Sequence, residues 1–150
     1  MEKIDTTQKS YKYKLVNKFS ESTIKPYGKY KFKFQDDSSI GNLTLFQSKT
    51  IFVYEISKNG LKALDLVGHA NDDGNWGFKI QCIENTIKDY HATKPDENID
   101  GTVVYEFQEL EYGHITHYKQ NVVVAYRTNF PNNGRMLTEH YVAEYEKKLH

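Results

Sequence analysis

Lys29-Tyr30-Lys31-Phe32-Lys33-Phe34 decides how the rest of the chain is read. Lysines and aromatic side chains alternate strictly here, and in extended backbone successive side chains point to opposite faces. Tyr30, Phe32 and Phe34 then share one face and the lysines the other, which predicts a half-buried antiparallel strand. Working outward, the same alternation recurs in about eight short segments between Tyr27 and Tyr145, most of them separated by Gly- or Asn-containing turns.

Asp36-Asp37-Ser38-Ser39 predicts a turn after the first strand. Gly41-Asn42-Leu43-Thr44-Leu45-Phe46-Gln47 reads as the second strand, Ser48-Lys49 as a tight connection, and Thr50 to Ile56 as the third. Lys58-Asn59-Gly60 is a hairpin signal, because Asn and Gly tolerate the positive φ of a primed turn. Leu61 to Val67 follows, then a turn at Asp72-Asp73-Gly74-Asn75. Trp76, Phe78, Ile80 and Cys82 next alternate with Gly77, Lys79 and Gln81. The expected core is Phe32, Phe34, Leu43, Leu45, Leu64, Leu66, Trp76, Phe78 and Ile80. Glu84 to Asp100 carries Pro95 and many polar groups and reads as the longest loop, a length that marks function or disorder. Gly101 to Gln108 and Val122 to Thr128 are strands, and Pro131-Asn132-Asn133-Gly134 is the clearest hairpin turn. Met136 to Tyr145 is expected to be the last strand, with Leu137, Tyr141, Ala143 and Tyr145 on one face; an amphipathic helix from Leu137 to Lys148 is its rival.

The fold class that follows is all-β: an antiparallel meander of about eight strands closed into a small barrel over residues 27–150. Residues 1–26 are Lys-, Ser- and Thr-rich and read as an N-terminal arm or linker, although Tyr11-Lys12-Tyr13-Lys14-Leu15 alternates.

Twenty basic and twenty acidic side chains cancel, which argues against a dedicated duplex-binding surface. The single cysteine, Cys82, excludes an intramolecular disulfide and suits a reducing cytosol. No stretch approaches the ~18 apolar residues of a membrane span. The first residues lack the basic and apolar blocks of a signal peptide, so a cytoplasmic protein is expected.

Catalytic motifs are missing. His114 and His117 have no third partner at metal-ligating spacing and read as surface histidines. The carboxylate pairs Asp36-Asp37 and Asp72-Asp73, and Glu109 with Glu111, fall in or beside predicted turns. Cys82 shares the apolar face of Trp76 and Phe78 and reads as a structural thiol. No Gly-rich phosphate loop or nucleophile elbow occurs. The expectation is a non-catalytic protein with no metal and no cofactor. The C-terminal hairpin is more informative, because Arg127 and Arg135, the only arginines, bracket its turn. A guanidinium offers planar, bidentate recognition of carboxylate or phosphate.

Gly41 to Ser48 followed by Ile51-Phe52-Val53-Tyr54 resembles the second and third strands of calycin barrels such as lipocalins and avidins. The segment Val122-Val123-Val124-Ala125-Tyr126-Arg127-Thr128-Asn129-Phe130-Pro131-Asn132-Asn133-Gly134-Arg135-Met136 is similar to the closing hairpin of one barrel family: the cyclic-nucleotide-sensing domains of bacterial anti-phage defence effectors. The resemblance runs in strand order from Gly28 to Tyr145. It implies a calycin-like barrel that binds an anionic, nucleotide-type ligand in defence signalling, with Tyr126, Arg127, Thr128, Asn129 and Arg135 as ligand contacts. Those effectors resemble membrane proteins with helices ahead of the barrel and an early tryptophan. Neither feature is found here, so the resemblance implies a detached sensor domain or a soluble relative. Two other readings stand beside it: an immunity- or inhibitor-like protein-interaction barrel, and a small barrel isomerase or cyclase.

Overall fold

Alternation carries through the chain as extended backbone, and over longer stretches than the turn signals suggest. The computed structural model describes residues 14–40, 43–71 and 77–149, with side chains over residues 19–36, 47–71 and 77–149. Every regular element among them is a strand: β1 (Lys14–Pro26), β2 (Gly28–Ile40), β3 (Leu43–Ser57), β4 (Gly60–Asn71), β5 (Phe78–Asp89), β6 (His91–Ala92), β7 (Asn98–Glu109), β8 (Ile115–Phe130) and β9 (Arg135–Leu149). All strand pairs are antiparallel. No helix among the described residues is long and apolar enough to cross a membrane.

The strands form two sheets, β1-β9-β8-β7-β5 and β2-β3-β4-β6, and neither closes on itself. The chain changes sheet between β1 and β2 and again between β4 and β5, and it crosses to the second sheet and back for the two-residue β6. The first corner is Tyr27, whose amide donates to the Gly134 carbonyl at 2.9 Å and so ties it to the last hairpin. At the second corner the sheets approach without a continuous ladder. Asn85 Nδ2 donates to the Leu66 carbonyl at 2.9 Å, and the Ala63 amide donates to the Tyr90 carbonyl at 2.8 Å. Glycine permits this approach: a Cβ on Gly68 would lie 2.7 Å from Cys82 Sγ and 2.8 Å from Val103 Cγ1.

Between the sheets lies one core that joins Phe32, Phe52, Tyr54, Ile56, Leu66, Ile99, Val103, Tyr105, Val122, Val124, Met136 and Val142. Four residues expected inside, Phe32, Phe34, Leu66 and Ile80, are buried. Phe78 is half-buried and stacks on Phe107 at 5.2 Å. Leu64 is 36% exposed instead. Val53 pairs with Asp65 and Tyr54 with Ala63, so Leu64 is the extra residue of a β-bulge, and the bulge resets which side chains face inward. The expectations for Leu43, Leu45 and Trp76 fall outside the described side chains, as does the turn at Asp73-Gly74. The other two turns stand where expected, at Lys58-Asn59 with Gly60 at φ +117° and at Pro131–Gly134 with Gly134 at φ +61°.

Several segments read as turns or loops are strand. Asp36 to Ser39 belong to β2, where Asp36 pairs with Ser48 and Asp37 with Gln47. Ser48-Lys49 lies inside β3: Ser48 and Thr50 are buried and Lys49 is exposed, so alternation persists with hydroxyls at the inward positions. Much of Glu84 to Asp100 continues β5 against β7. Two bulges in β5, at Ile83 and Lys88, break the period of two that would have revealed it. The true connection is Thr93–Glu97, where Glu97 Oε1 accepts from the amides of Thr93 at 2.8 Å and Lys94 at 3.1 Å. His117, read as a surface histidine, lies in β8 and is half-buried. Residues 14–26, read as arm or linker, form β1 and pair with β9 from Lys14↔Glu146 to Pro26↔Arg135. The rival helix over Leu137 to Lys148 is excluded, since those residues form β9. Its inward side is Met136, Thr138, His140, Val142 and Glu144, all buried.

Candidate functional site

Arg127 is itself the extra residue of a bulge, since Tyr126 pairs with Thr138 and Thr128 with Leu137. The bulge aims its guanidinium along the outer face of the first sheet. Nε donates to Glu139 Oε1 at 2.5 Å, Nη1 to Asp96 Oδ1 at 2.9 Å and Nη2 to the Tyr141 hydroxyl at 2.5 Å. Tyr141 in turn donates to Glu139 Oε2 at 2.9 Å. These bonds, Glu139's first, raise the Arg127 pKa further, and the guanidinium holds Glu139 below the usual carboxylate range. The other hairpin residues do not converge on it. Tyr126 is in the core, Thr128 and Arg135 are exposed, and Asn129 accepts from the Tyr27 hydroxyl at 2.7 Å while donating to the Lys58 carbonyl at 3.2 Å.

The opposite end, where β2, β4, β7 and β9 finish, has different chemistry. Inward positions near the hairpin end are Ile56, Leu61, Ile99, Val124 and Met136, whereas at this end they are Ser48, Thr50, Gln120 and Glu144. Their hydrogen bonds link the two sheets. The Tyr105 hydroxyl lies 2.9 Å from Thr50 Oγ1 and also reaches the Lys49 carbonyl at 3.1 Å. Thr50 donates to Gln120 Oε1, so the amide Nε2 is left to donate to Glu144 Oε2 at 2.8 Å. Glu144 is also hydrogen-bonded to the Asp36 carboxyl of β2. Burial pushes the Glu144 pKa up to about 8, and the bond to Asp36 adds to the rise. Burial likewise lifts Tyr105 and Tyr118 to about 12.

A cleft of about 250 Å³ opens on this end over β2, β3 and β4. Gln35, Lys49 and His69 stand directly opposite one another across the three strands, and Gln47 faces Asn71 two pairs further along. These five residues, with Ser48 and Ala70, line the cleft. Its walls combine two basic groups with three primary amides and contain no carboxylate. Sequence reading missed the site because Ser48-Lys49 looked like a turn. The signal lay in Ser48 and Thr50 sharing the parity of Phe52 and Tyr54.

A second buried polar pair lies midway along the core. His140 Nε2 is 2.8 Å from the Tyr54 hydroxyl, and its ring stacks on Phe32 at 4.5 Å. Its Nδ1 has no hydrogen-bond partner among the described residues and faces Glu21 Oε1 at 3.7 Å. Burial lowers the His140 pKa, Lys25 lowers it further and Glu21 opposes them. Elsewhere, His117 Nε2 lies 3.1 Å from Glu106 Oε2, and His114 stacks on Tyr112. Cys82 contacts the Glu84 carbonyl at 3.4 Å, and burial raises its pKa. Among the described residues no three His, Cys, Asp or Glu side chains are grouped to hold a metal ion. No known protein family, curated protein or solved structure matches this chain.

Proposed function

We propose that this chain is a non-catalytic binding protein that takes a small anionic ligand of the nucleotide class in the cleft of Gln35, Lys49 and His69. One observation carries the reading: a basic pair and three amides line one concavity that contains no carboxylate. Lys49 supplies a charge without a neighbouring carboxylate in the lining, while the amides offer both donors and acceptors to a phosphate, a sugar or a base edge. Arg127 is in the opposite situation, neutralised by Glu139 and Asp96. The volume lies just below the ~300 Å³ at which typical ligand pockets begin, so a phosphate or mononucleotide fits and a larger cyclic oligonucleotide would project from it. A calycin-like closed barrel draws its support from the meander order and from β1 pairing with β9. The resemblance to defence sensor barrels makes nucleotides the first class to test.

Calorimetric titration with inorganic phosphate, AMP and a panel of cyclic di- and trinucleotides is the direct experiment. Lys49→Ala should weaken binding about tenfold or more, the loss of one charge-assisted contact. Arg127→Ala should leave it unchanged. If no compound binds, the reading falls. If Arg127→Ala and Arg135→Ala abolish binding while Lys49→Ala does not, the ligand sits at the hairpin instead.

One observation favours a small isomerase or cyclase as a second reading. Glu144 is a buried carboxyl that keeps its proton near neutral pH, as a general acid must. Conversion of an added nucleotide, followed by chromatography, would replace binding with turnover.

A further inference from the structure

The basic surface does not end at the cleft. Gln35, Lys49 and His69 lie on the outward side of β2, β3 and β4, and three more outward rows follow along the same strands. They are Lys33–Ile51–Val67, Lys31–Val53–Asp65 and Lys29–Glu55–Lys62. The five lysines of this face and His69 are all exposed, and none joins an ion pair among the described residues. Carboxylates enter only in the two rows farthest from the cleft. Glu55 stands directly opposite Lys29, whereas Asp65 lies two strands away from Lys31 and accepts from the Leu66 amide at 2.9 Å. Lys49, Lys33 and Lys31 therefore form a track of ammonium groups that leaves the cleft along β2, beside the half-buried Ile51, Val53 and Val67.

β2 is an edge strand, and lysines on an edge discourage pairing with a foreign strand. Edge protection accounts for Lys29, Lys31 and Lys33 but not for Lys49 and His69, which sit on the interior strands β3 and β4. The spacing is informative as well. Side chains on one face of a strand repeat every second residue, about 6.8 Å apart. Phosphates of a stacked duplex strand come every ~3.4 Å, and an unstacked, extended single strand spaces them about twice as widely.

We propose that the outward face of β2, β3 and β4 binds single-stranded nucleic acid, a ligand class that rests on the cleft being a nucleotide site: one nucleotide occupies the cleft, and the phosphates that follow it lie over Lys33 and Lys31. Sugars and base faces cover the aliphatic strip of Ile51, Val53 and Val67. These rows hold no aromatic side chain on which bases could stack, so the phosphates carry the affinity. Binding then depends little on sequence and weakens steeply with salt.

Fluorescence anisotropy with a labelled single strand of about eight deoxyadenylates, a length within the usual site size, tests this beside calorimetric titration with dAMP. The strand should bind about tenfold or more tighter than dAMP, through its two further charged contacts. Its affinity should fall with salt on a log–log slope of about −2, the value for three phosphates of a single strand. Lys31→Gln combined with Lys33→Gln should bring that slope to about −0.7 and leave dAMP affinity unchanged, because neither residue lines the cleft. Lys49→Ala should weaken both ligands. If dAMP binds but the strand binds no tighter, or the double variant holds the strand as well as the wild type, the strand proposal falls and the cleft reading stands. Strand binding that is lost in the double variant but indifferent to Lys49→Ala, with no binding of dAMP, upholds the lysine face and removes the cleft reading. If neither ligand binds, both fall. Equal affinity for the matching duplex or for poly-glutamate overturns the proposal, since charge without the spacing then suffices. Binding to phosphatidylserine vesicles in place of the strand overturns it too and assigns the face to a membrane.

Discussion

Two buried residues give the protein opposite responses to pH. Glu144 has its pKa raised to about 8, so the folded state holds a proton that the unfolded chain releases near its ordinary value of 4.5. Its contribution is fully present below about pH 4.5 and is lost as pH rises through about 8. His140 has its pKa lowered from 6.5 by burial. Its contribution is present above about pH 6.5 and is lost as pH falls, because the unfolded state then binds the extra proton. Urea unfolding at about pH 5 and about pH 9 separates the two. Glu144→Gln should be more stable than the wild type at the alkaline end and show a flattened alkaline limb, and His140→Gln should flatten the acid limb. An unchanged alkaline limb in Glu144→Gln would place the proton elsewhere. Arg127 makes a third test at this scale. Its three acceptors lie on a partly exposed face, where ion pairs contribute little each. Arg127→Ala should therefore lower the melting temperature by only a few degrees, measured by circular dichroism.

Bulges decide much of the architecture at the level of the strand, and they also explain what the chain did and did not disclose. The alternation at Lys29–Phe34 and the glycines after Asn59 and Asn133 were legible, because period and turn chemistry are local properties. Leu64, Ile83, Lys88 and Arg127 were not, because a bulge is set by the partner strand, and nothing in the one-dimensional pattern marks it. The cleft was hidden for a related reason. Ser48 and Thr50 carry turn-like hydroxyls, and it is Gln120 and Tyr105, on the other sheet, that make the burial of Thr50 favourable. His140 and Glu144 share the parity of Met136 and Val142, yet polarity made the other face of β9 look like the core. The close seam of β4, β5 and β7 offers a quantitative check. A Cβ on Gly101 would collide with Leu66 Cδ2 and lie 2.8 Å from the Thr86 carbonyl oxygen, which is backbone and cannot turn aside. Gly101→Ala should cost about 1–3 kcal/mol by chemical denaturation, the usual penalty of overpacking. No loss would mean that the sheets separate there easily.

Across the whole molecule the interior is graded, apolar at the hairpin end and hydrogen-bonded at the end that bears the cleft. Such a gradient concentrates stability at one end and leaves the other adaptable, since packed apolar side chains resist opening more than polar groups that water can satisfy. Completion of the larger sheet depends on β1, which covers the edge of β9 and brings Phe19 against Phe32 at 5.9 Å. Deleting residues 1–26 should expose the β9 edge and produce aggregation detectable by light scattering. A truncated protein that stays monomeric with an unchanged melting temperature would make β1 dispensable.

The pairing of β1 with β9 also sets an order of events during synthesis. β1 leaves the ribosome long before the strand that it must join, and every intervening strand can fold while it waits. A strongly apolar waiting strand would recruit wrong neighbours in that interval. Lys14-Leu15-Val16-Asn17-Lys18-Phe19-Ser20-Glu21-Ser22-Thr23-Ile24-Lys25-Pro26 is instead polar and charged along most of its length. The composition that made this segment read as a tail keeps it soluble until its partner emerges.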